Sequence, residues 1–196
     1  MNDATPLLAI VDLEATCWPT SPHPANEIIE IGAVMFATDD AAVPATPAEF
    51  QAFVRPTLHP QLSAFCTDLT GITQAEVDAA ETFPAVFARF AAWLDQHPGA
   101  IVSSWGRYDH NQLVHDCKLH GIDYPQTRHI NLKQSYSRLH NIRPHGMKRA
   151  LAHAGLPLDG THHRGIDDAR NITKLVASLL HTFSAADVID AGSWLG

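Results

Sequence analysis

The sequence lacks any hydrophobic run long enough to cross a membrane, and its N-terminal residues lack the basic segment and apolar stretch of a secretory signal. It contains only three cysteines, Cys17, Cys66 and Cys117, and they do not have metal-binding spacing. An odd and scattered set of this kind indicates reduced thiols packed in the protein rather than a disulfide framework. These absences argue against a membrane-spanning protein and a disulfide-rich secreted domain, and we expect a cytoplasmic protein.

What is present fits one folded domain, because 196 residues of which 45% are hydrophobic can bury a substantial core. Apolar segments predict five strands, at residues 7–12, 28–37, 49–55, 100–104 and about 128–132. Helices are predicted after Thr82, around Asp109, twice after the fifth strand with the second ending at Gly155, and from His163 to Phe183. This order predicts an α/β protein of the ribonuclease-H-like fold, with a central mixed five-stranded sheet flanked by helices. Residues 41–47, rich in Ala and Pro, are interpreted as a loop.

Two carboxylates end the first predicted strand. Asp12 and Glu14 follow the apolar residues 7–11, and residues two positions apart on a strand point to the same face. Like charges repel each other, and burying both without a partner costs several kcal/mol, so the pair implies a bound cation. Hard divalent ions prefer carboxylate oxygens, and Mg²⁺ or Mn²⁺ is therefore the expected ion.

Two further acids are predicted to point inward from helices. Asp168 shares a helical stripe with Ile172, Leu175 and Leu179. Asp167 belongs to the neighbouring polar stripe with Asn171, Lys174 and Ser178, so it is expected to face water as an acid favoured by the helix dipole. Asp109 shares a stripe with Leu113 and Cys117, although a lone aspartate there would also fit a helix cap.

Asp12-x-Glu14, Asp109, and His163 with Asp168 five positions on resemble the three-motif signature of the DEDDh 3′-to-5′ exonucleases, the class of the proofreading and RNase T-like enzymes. Further segments are similar to the branch that contains the histone-mRNA stem-loop exonuclease and the enhancer-of-RNA-interference exonucleases. These segments are residues 11–17, 27–33, 53–56, 62–72 and 163–172. The resemblance covers residues 5–182, which we interpret as a single exonuclease domain, and it leaves residues 183–196 as a C-terminal tail.

The resemblance implies a metal-dependent 3′-to-5′ exonuclease that favours RNA and releases nucleoside 5′-monophosphates from a free 3′-hydroxyl end. Two ions, Mg²⁺ or Mn²⁺, would be held by Asp12, Glu14, Asp109 and Asp168, with Asp12 shared between them. His163 would act as the general base, because an imidazole accepts a proton near neutral pH. His162 competes for that role, and the five-residue spacing to Asp168 favours His163.

Four residues are candidates for contacts with the terminal nucleotide. By resemblance, backbone groups at Ala15 and Thr16 would meet the terminal sugar, where a contact with the 2′-hydroxyl would favour RNA over DNA. Phe65 and Tyr108 match positions at which the branch uses aromatic residues, and such rings stack on single-stranded bases. Phe65 also fits an ordinary core stripe with Leu62 and Leu69, so both interpretations stay open.

Positive charge is scarce as well, since 13 lysines and arginines oppose 21 aspartates and glutamates and leave a net charge of -8. Nucleic-acid-binding surfaces are usually basic, so this charge predicts a short contact at a single-stranded 3′ end rather than a long groove. Bound divalent ions and the basic residues between Arg143 and Arg164 would supply positive charge at that contact.

Three other functions remain open. A DNA exonuclease of the proofreading type would use the same acids, and a non-catalytic RNA- or protein-binding module would keep the same fold. A zinc protein would draw on the 13 histidines, but paired ligand motifs such as C-x-x-C and H-E-x-x-H are missing from the sequence. The oligomeric state is also left open.

Overall fold

The computed structural model describes residues 6–20, 25–39, 47–125 and 128–194. The strands in this part of the chain are β1 (Leu7–Ala15), β2 (Ile28–Ala37), β3 (Glu49–Phe53), β4 (Ile101–Ser104), β5 (His129–Asn131) and β6 (Ser193–Trp194). The helices are α1 (Ala64–Thr70), α2 (Gln74–Ala79), α3 (Phe83–Asp95), α4 (Tyr108–Leu119), α5 (Leu132–Leu139), α6 (Met147–Ala154), α7 (Gly165–Leu180) and α8 (Ala185–Gly192). Thr5, the start of the interpreted domain, and residues 41–46 of the interpreted loop lie outside the described residues.

The strands form one mixed sheet in the order β3-β2-β1-β4-β5-β6. The first three strands pair antiparallel, while β4 is parallel to both β1 and β5. This arrangement confirms the predicted mixed five-stranded sheet flanked by helices. The structure adds a short edge strand, because β6 pairs antiparallel with β5 through two residues.

Residues 185–194 differ from the tail that the sequence analysis expects, because they form α8 and β6 and pack against the domain. Val188 and Ile189 are buried in the same core cluster as α5 and α7. Ser135 of α5 donates a hydrogen bond to the Val188 carbonyl at 2.8 Å, and Arg138 donates one to the Ala191 carbonyl at 2.8 Å. Such a short amphipathic segment gains its stability from tertiary packing rather than from its own propensity, and local pattern therefore does not reveal it.

Both faces of the sheet are covered, because β1 sends alternate residues into two core clusters. Ala9, Val11 and Leu13 pack with α3 and α4, where Phe83, Phe87, Phe90 and Trp93 supply much of the apolar surface. Leu8 and Ile10 pack on the opposite face with α5, α6, α7 and α8. β1 is therefore a central strand, and the carboxylates near its end are held by a rigid element. Among the described residues, no helix has the length and apolar character needed to span a bilayer.

α7 begins in direct contact with the backbone of β1 and β2. An added Cβ at Gly32 would lie 2.2 Å from the Gly165 carbonyl carbon and from the Ile166 nitrogen. An added Cβ at Gly165 would lie 2.9 Å from the Asp12 carbonyl oxygen. These two glycines allow the first turn of α7, which carries Asp168, to lie against the strand that carries Asp12.

The prediction for the inward-facing stripe of α7 is confirmed, because its four residues are all buried: Asp168, Ile172, Leu175 and Leu179. The polar stripe differs from the prediction at Asn171, which is also fully buried. Its side-chain amide donates to the Asp159 and Asp167 carbonyls at 2.8 and 2.9 Å, and its oxygen accepts from the Asp159 amide at 3.1 Å. Asn171 therefore holds the loop at Asp159, which precedes His163, against α7.

Candidate active site

Three carboxylates from two elements meet beside the end of β1. Asp12 and Glu14 come from the strand and Asp168 from the first turn of α7, and one oxygen from each lies within 4.8 Å of the other two. Glu14 and Asp168 are buried, and Asp12 is half-buried. The structure thus brings together residues that are far apart in the chain, through the close contact between β1 and α7.

Asp109 lines the same pocket, outside that group of three. It lies in the first turn of α4, is buried, and accepts a hydrogen bond from the Leu13 amide at 3.1 Å. Burial raises the pKa of Asp109 to about 6, although the hydrogen bond from Leu13 favours its charged form. This bond joins α4 to the strand segment between Asp12 and Glu14.

The carboxylates disturb one another's ionisation. Burial, followed by repulsion from Asp168 and Glu30, raises the pKa of Glu14 to about 8. Burial and the neighbouring acids also raise the pKa of Asp12 well above its ordinary value. A group of all-oxygen ligands whose ionisation is suppressed by mutual repulsion matches the donor set of a hard divalent cation. The residues present therefore fit Mg²⁺ or Mn²⁺.

The stability of the metal-free protein is expected to fall as pH rises. The pKa of Glu14 is about 8 in the folded protein against 4.5 for the free side chain, so its stabilising contribution is complete below about pH 4.5 and is lost as pH rises through about 8. In EDTA, the free energy of unfolding should therefore decrease between about pH 5 and 8 by an amount on the order of a few kcal/mol. The measured Tm should fall over the same pH range. Added Mn²⁺ should raise the Tm more at pH 8 than at pH 6. The control is Glu14→Gln, which should make the fall in Tm with pH smaller while the other raised acids still titrate, and parallel profiles for the two proteins would contradict the assignment.

Asp168 has three hydrogen-bond contacts from the residues that precede α7. The His162 ring donates from Nδ1 to the two carboxylate oxygens at 2.8 and 3.2 Å, and the backbone amide of His163 donates to one of them at 3.1 Å. Burial raises the pKa of Asp168, and the nearby His162 opposes that rise. His162, the predicted competitor for the base role, is thus the imidazole that contacts the carboxylate of Asp168.

His163 has an unusual backbone conformation. Its φ of 66° lies in the left-handed region, which is rare for a residue with a side chain. The His162 and His163 rings stack at a centroid distance of 4.0 Å and an interplanar angle of 20°. Burial and the neighbouring His162 lower the pKa of His163, while Asp168 opposes this effect, so the environment of the ring favours its neutral form.

These groups line an open pocket of about 320 Å³, whose walls include the predicted residues Ala15 and Tyr108. Thr16 lies behind the wall, where it is buried and its hydroxyl accepts from the Glu27 amide at 2.9 Å. Tyr108 is 53% exposed. Phe65 is 40% exposed on α1, whereas Cys66 of the same helix and Leu62 just before it are buried, so Phe65 is not a core residue. It does not line the pocket itself, but Leu69 of the same helix does.

The structure adds Glu30, to which the sequence analysis assigns no role. Its carboxylate is fully buried and accepts from Gln51 at 2.8 Å, from the Gly165 amide at 3.0 Å and from Arg164 at 3.3 Å. Glu30 pairs with Glu14 in the β1–β2 register, so it links the strand acids to the start of α7. A charged residue in a strand that is otherwise almost wholly apolar is the signal that could have identified it. Cys17, Trp105 and Met147 also line the pocket without having been predicted.

Comparison with known proteins assigns the family. A family model described as RNase_T, exonuclease, matches residues 9–176. The chain belongs to the RNase T exonuclease family. Among solved structures, the chain is similar to the nuclease domain of 3′hExo, a DEDDh family member, bound to rAMP. The two share 31% sequence identity and superpose with a TM-score of 0.84, covering 92% of this chain and 94% of that one. This match confirms both the resemblance to the DEDDh class and the ribonuclease-H-like fold.

Curated relatives within the family carry exoribonuclease names. The chain is 35% identical to ERI1 exoribonuclease 2 of Danio rerio over 89% of its own length. It is 32% identical to 3'-5' exoribonuclease 1 of Homo sapiens over 88% of its length. The chain spans 35% of the first relative and 52% of the second, so it corresponds to one part of each.

Proposed function

We propose that this protein is a metal-dependent 3′-to-5′ exoribonuclease that releases nucleoside 5′-monophosphates one at a time. The observation that carries the proposal is the convergence of Asp12, Glu14 and Asp168 within 4.8 Å in an open pocket that also holds Asp109 and His163. The exoribonuclease names of the relatives support RNA as the substrate. All four acids and the histidine of the family signature are present, which favours catalysis over a non-catalytic binding module.

Each acid has a place in this proposal. Asp12, Glu14 and Asp168 would hold one divalent ion, Mg²⁺ or Mn²⁺, and Asp12 and Asp109 would hold the second. When bound, such a pair of ions activates a water and stabilises the charge on the leaving oxygen. The hydrogen bond from the Leu13 amide keeps the Asp109 carboxylate oriented toward the pocket. Glu30 is not a ligand in this scheme but positions α7 through Arg164 and Gly165.

His163 acts as the general base. Its lowered pKa favours the neutral form of the ring, so a ring nitrogen is able to accept the proton of the attacking water. The water oxygen attacks the terminal phosphorus, and the bond to the 3′ oxygen of the preceding nucleotide breaks. The phosphate therefore stays on the 5′ oxygen of the released nucleotide. The leaving 3′ oxygen takes a proton from solvent in the open pocket, so the shortened strand ends in a new 3′-hydroxyl.

The terminal nucleotide is bound by the exposed aromatic residues and by the end of β1. Tyr108 on the pocket wall and Phe65 on α1 are available to stack on bases because both rings are exposed. The backbone at Ala15 lies on the pocket wall, so it is available to a terminal ribose, and Thr16 supports it from behind. A pocket of about 320 Å³ suits a single nucleotide, in agreement with a short contact at a 3′ end by an acidic protein.

We further propose that the protein is cytoplasmic.

Digestion of labelled oligonucleotides tests the function. RNA and DNA of one unstructured sequence, each with a 3′-hydroxyl, are incubated with the protein and Mg²⁺ or Mn²⁺, and the products are resolved by chromatography against nucleotide standards. The expected result is shortening from the 3′ end, release of nucleoside 5′-monophosphates, a faster rate on RNA, and no reaction in EDTA.

Two outcomes would redirect the assignment. A faster rate on DNA would favour the proofreading-type alternative. Oligonucleotide binding without any turnover in either metal would favour the non-catalytic module.

A further inference from the structure

The His162–His163 pair forms a second group of potential metal ligands with Asp168, distinct from the carboxylate group. One nitrogen from each ring and one oxygen of Asp168 lie within 4.8 Å of one another. We propose that this group is a second site, overlapping the carboxylate group at Asp168, for a borderline transition-metal ion such as Zn²⁺, and that the ion inhibits the nuclease when it binds. The inhibitory effect rests on the proposed function, whereas binding of the ion does not.

Backbone conformation brings the two imidazoles together. Neighbouring residues in an extended chain point in opposite directions, but the left-handed φ of 66° at His163 turns the chain. As a result the two rings stack at 4.0 Å, and one nitrogen of each lies within 4.8 Å of an Asp168 oxygen. Because the lone pairs of stacked imidazoles lie in nearly parallel planes, one ring must rotate out of the stack to bind the same ion. A left-handed conformation is strained at a residue with a side chain. The hydrogen bond that the His163 amide donates to Asp168 at 3.1 Å stabilises this conformation.

The distance between His162 and Asp168 suits tetrahedral zinc, and a His163 nitrogen lies within 4.8 Å of a ligand atom of each. Zinc bonds to nitrogen and oxygen ligands of about 2.0–2.2 Å at a tetrahedral angle place two ligand atoms about 3.3 Å apart. The Nδ1 atom of His162 lies 2.8 and 3.2 Å from the two Asp168 oxygens, so the ion requires a shift of only a few tenths of an ångström there. The His162 side chain is 33% exposed, which leaves access for the ion and for a water as the fourth ligand.

The two metal groups differ in chemistry and share one ligand. Two imidazoles and one carboxylate favour Zn²⁺, whereas the all-oxygen set of Asp12, Glu14 and Asp168 favours Mg²⁺ or Mn²⁺. Zinc bound to the histidines would occupy the lone pair of His163, the proposed base, and would draw Asp168 away from the carboxylate group. Zinc is therefore expected to inhibit by removing two groups that the reaction needs.

Inhibition is tested by titrating Zn²⁺ into digestion reactions at a fixed Mg²⁺ concentration. His162→Gln removes one ligand of the zinc site and none of the proposed ligands of the catalytic ions. With every rate expressed relative to the zinc-free rate of the same variant, the zinc concentration for half inhibition should rise by about 10-fold or more in His162→Gln. His181→Gln, a change of the exposed histidine at the far end of α7, serves as the matched control and should follow the unchanged protein.

Binding is tested without activity, using Co²⁺ as a coloured substitute for Zn²⁺. In an Asp12→Asn, Glu14→Gln variant, Co²⁺ should still give the visible absorption of a nitrogen-ligated ion, and added Zn²⁺ should remove it. Further replacement of His162 and His163 by Gln should abolish the spectrum. The proposal is overturned by a spectrum that survives loss of both histidines, by the absence of a spectrum in the first variant, or by equal inhibition of the unchanged protein and His162→Gln. Zinc binding in a protein without nuclease activity would instead reject only the proposed function.

Discussion

Replacement of Asp168 by asparagine is expected to reduce the exonuclease rate by at least about 1000-fold. Asp168 belongs to the carboxylate group that would hold a catalytic ion, and loss of several kcal/mol of transition-state stabilisation corresponds to this factor. The protein should remain folded, because burial already disfavours the charged form of Asp168 and the asparagine oxygen is able to accept the hydrogen bonds from His162 and His163. Rates on labelled RNA, together with Tm values measured with and without Mn²⁺, check both statements, and Mn²⁺ should no longer raise the Tm as it does in the unchanged protein.

Asp167→Asn provides a matched control, because it makes the same chemical change one residue earlier in α7. Asp167 is turned away from the pocket, where it accepts from the Thr161 amide at 2.9 Å and pairs with Arg170 at 3.0 Å. Loss of these partly exposed contacts should lower the stability by up to about 1 kcal/mol. The rate should stay within about threefold of the original. Equal losses of activity in the two variants would contradict the assignment of Asp168 as the metal-binding acid.

Gly32→Ala is expected to destabilise the protein by about 3 kcal/mol or more and to inactivate it. The added methyl group would lie 2.2 Å from the backbone of Gly165 and Ile166, so α7 must move away from β2. This destabilisation corresponds to a fall in Tm of roughly 10 °C for a domain of this size. Because the same turn of α7 carries Asp168, the carboxylate group should separate even in molecules that remain folded. Thermal melts and RNA digestion at a temperature well below the new Tm measure the two effects.

Gly146→Ala controls for the loss of a glycine. Gly146 precedes α6, its backbone has an ordinary φ of −60°, and an added Cβ would meet nothing within 4 Å. Its stability should therefore change by less than about 0.5 kcal/mol. If Gly32→Ala melted at the same temperature as Gly146→Ala, close contact between β2 and α7 would not be what holds the site together.

Local patterns were sufficient for most of the fold. Short apolar segments identified the first five strands, because a strand covered on both faces is apolar along its length. Helical periodicity separated Asp168 from Asp167, since the two residues lie on different sides of α7. α8 and β6 were not predicted, because both elements are short and are stabilised by contacts with α5 and β5 rather than by a local pattern. The burial of Asn171 was not predicted, because the hydrogen-bond partners of its side-chain amide include Asp159, a residue of the loop before α7.

By itself, the sequence determined the chemical character of the site: the four acids, the histidine pair and the spacing that ties them to one family. Those features are covalent or periodic and can be read along the chain. Only the tertiary structure decided how these groups meet. The close contact at Gly32 and Gly165 brings Asp168 to Asp12 and Glu14, and the left-handed turn at His163 brings His162 onto Asp168. The first contact depends on packing between segments that are distant in sequence, where no local pattern specifies the distance between atoms. The second depends on a left-handed backbone conformation that the side-chain pattern does not specify.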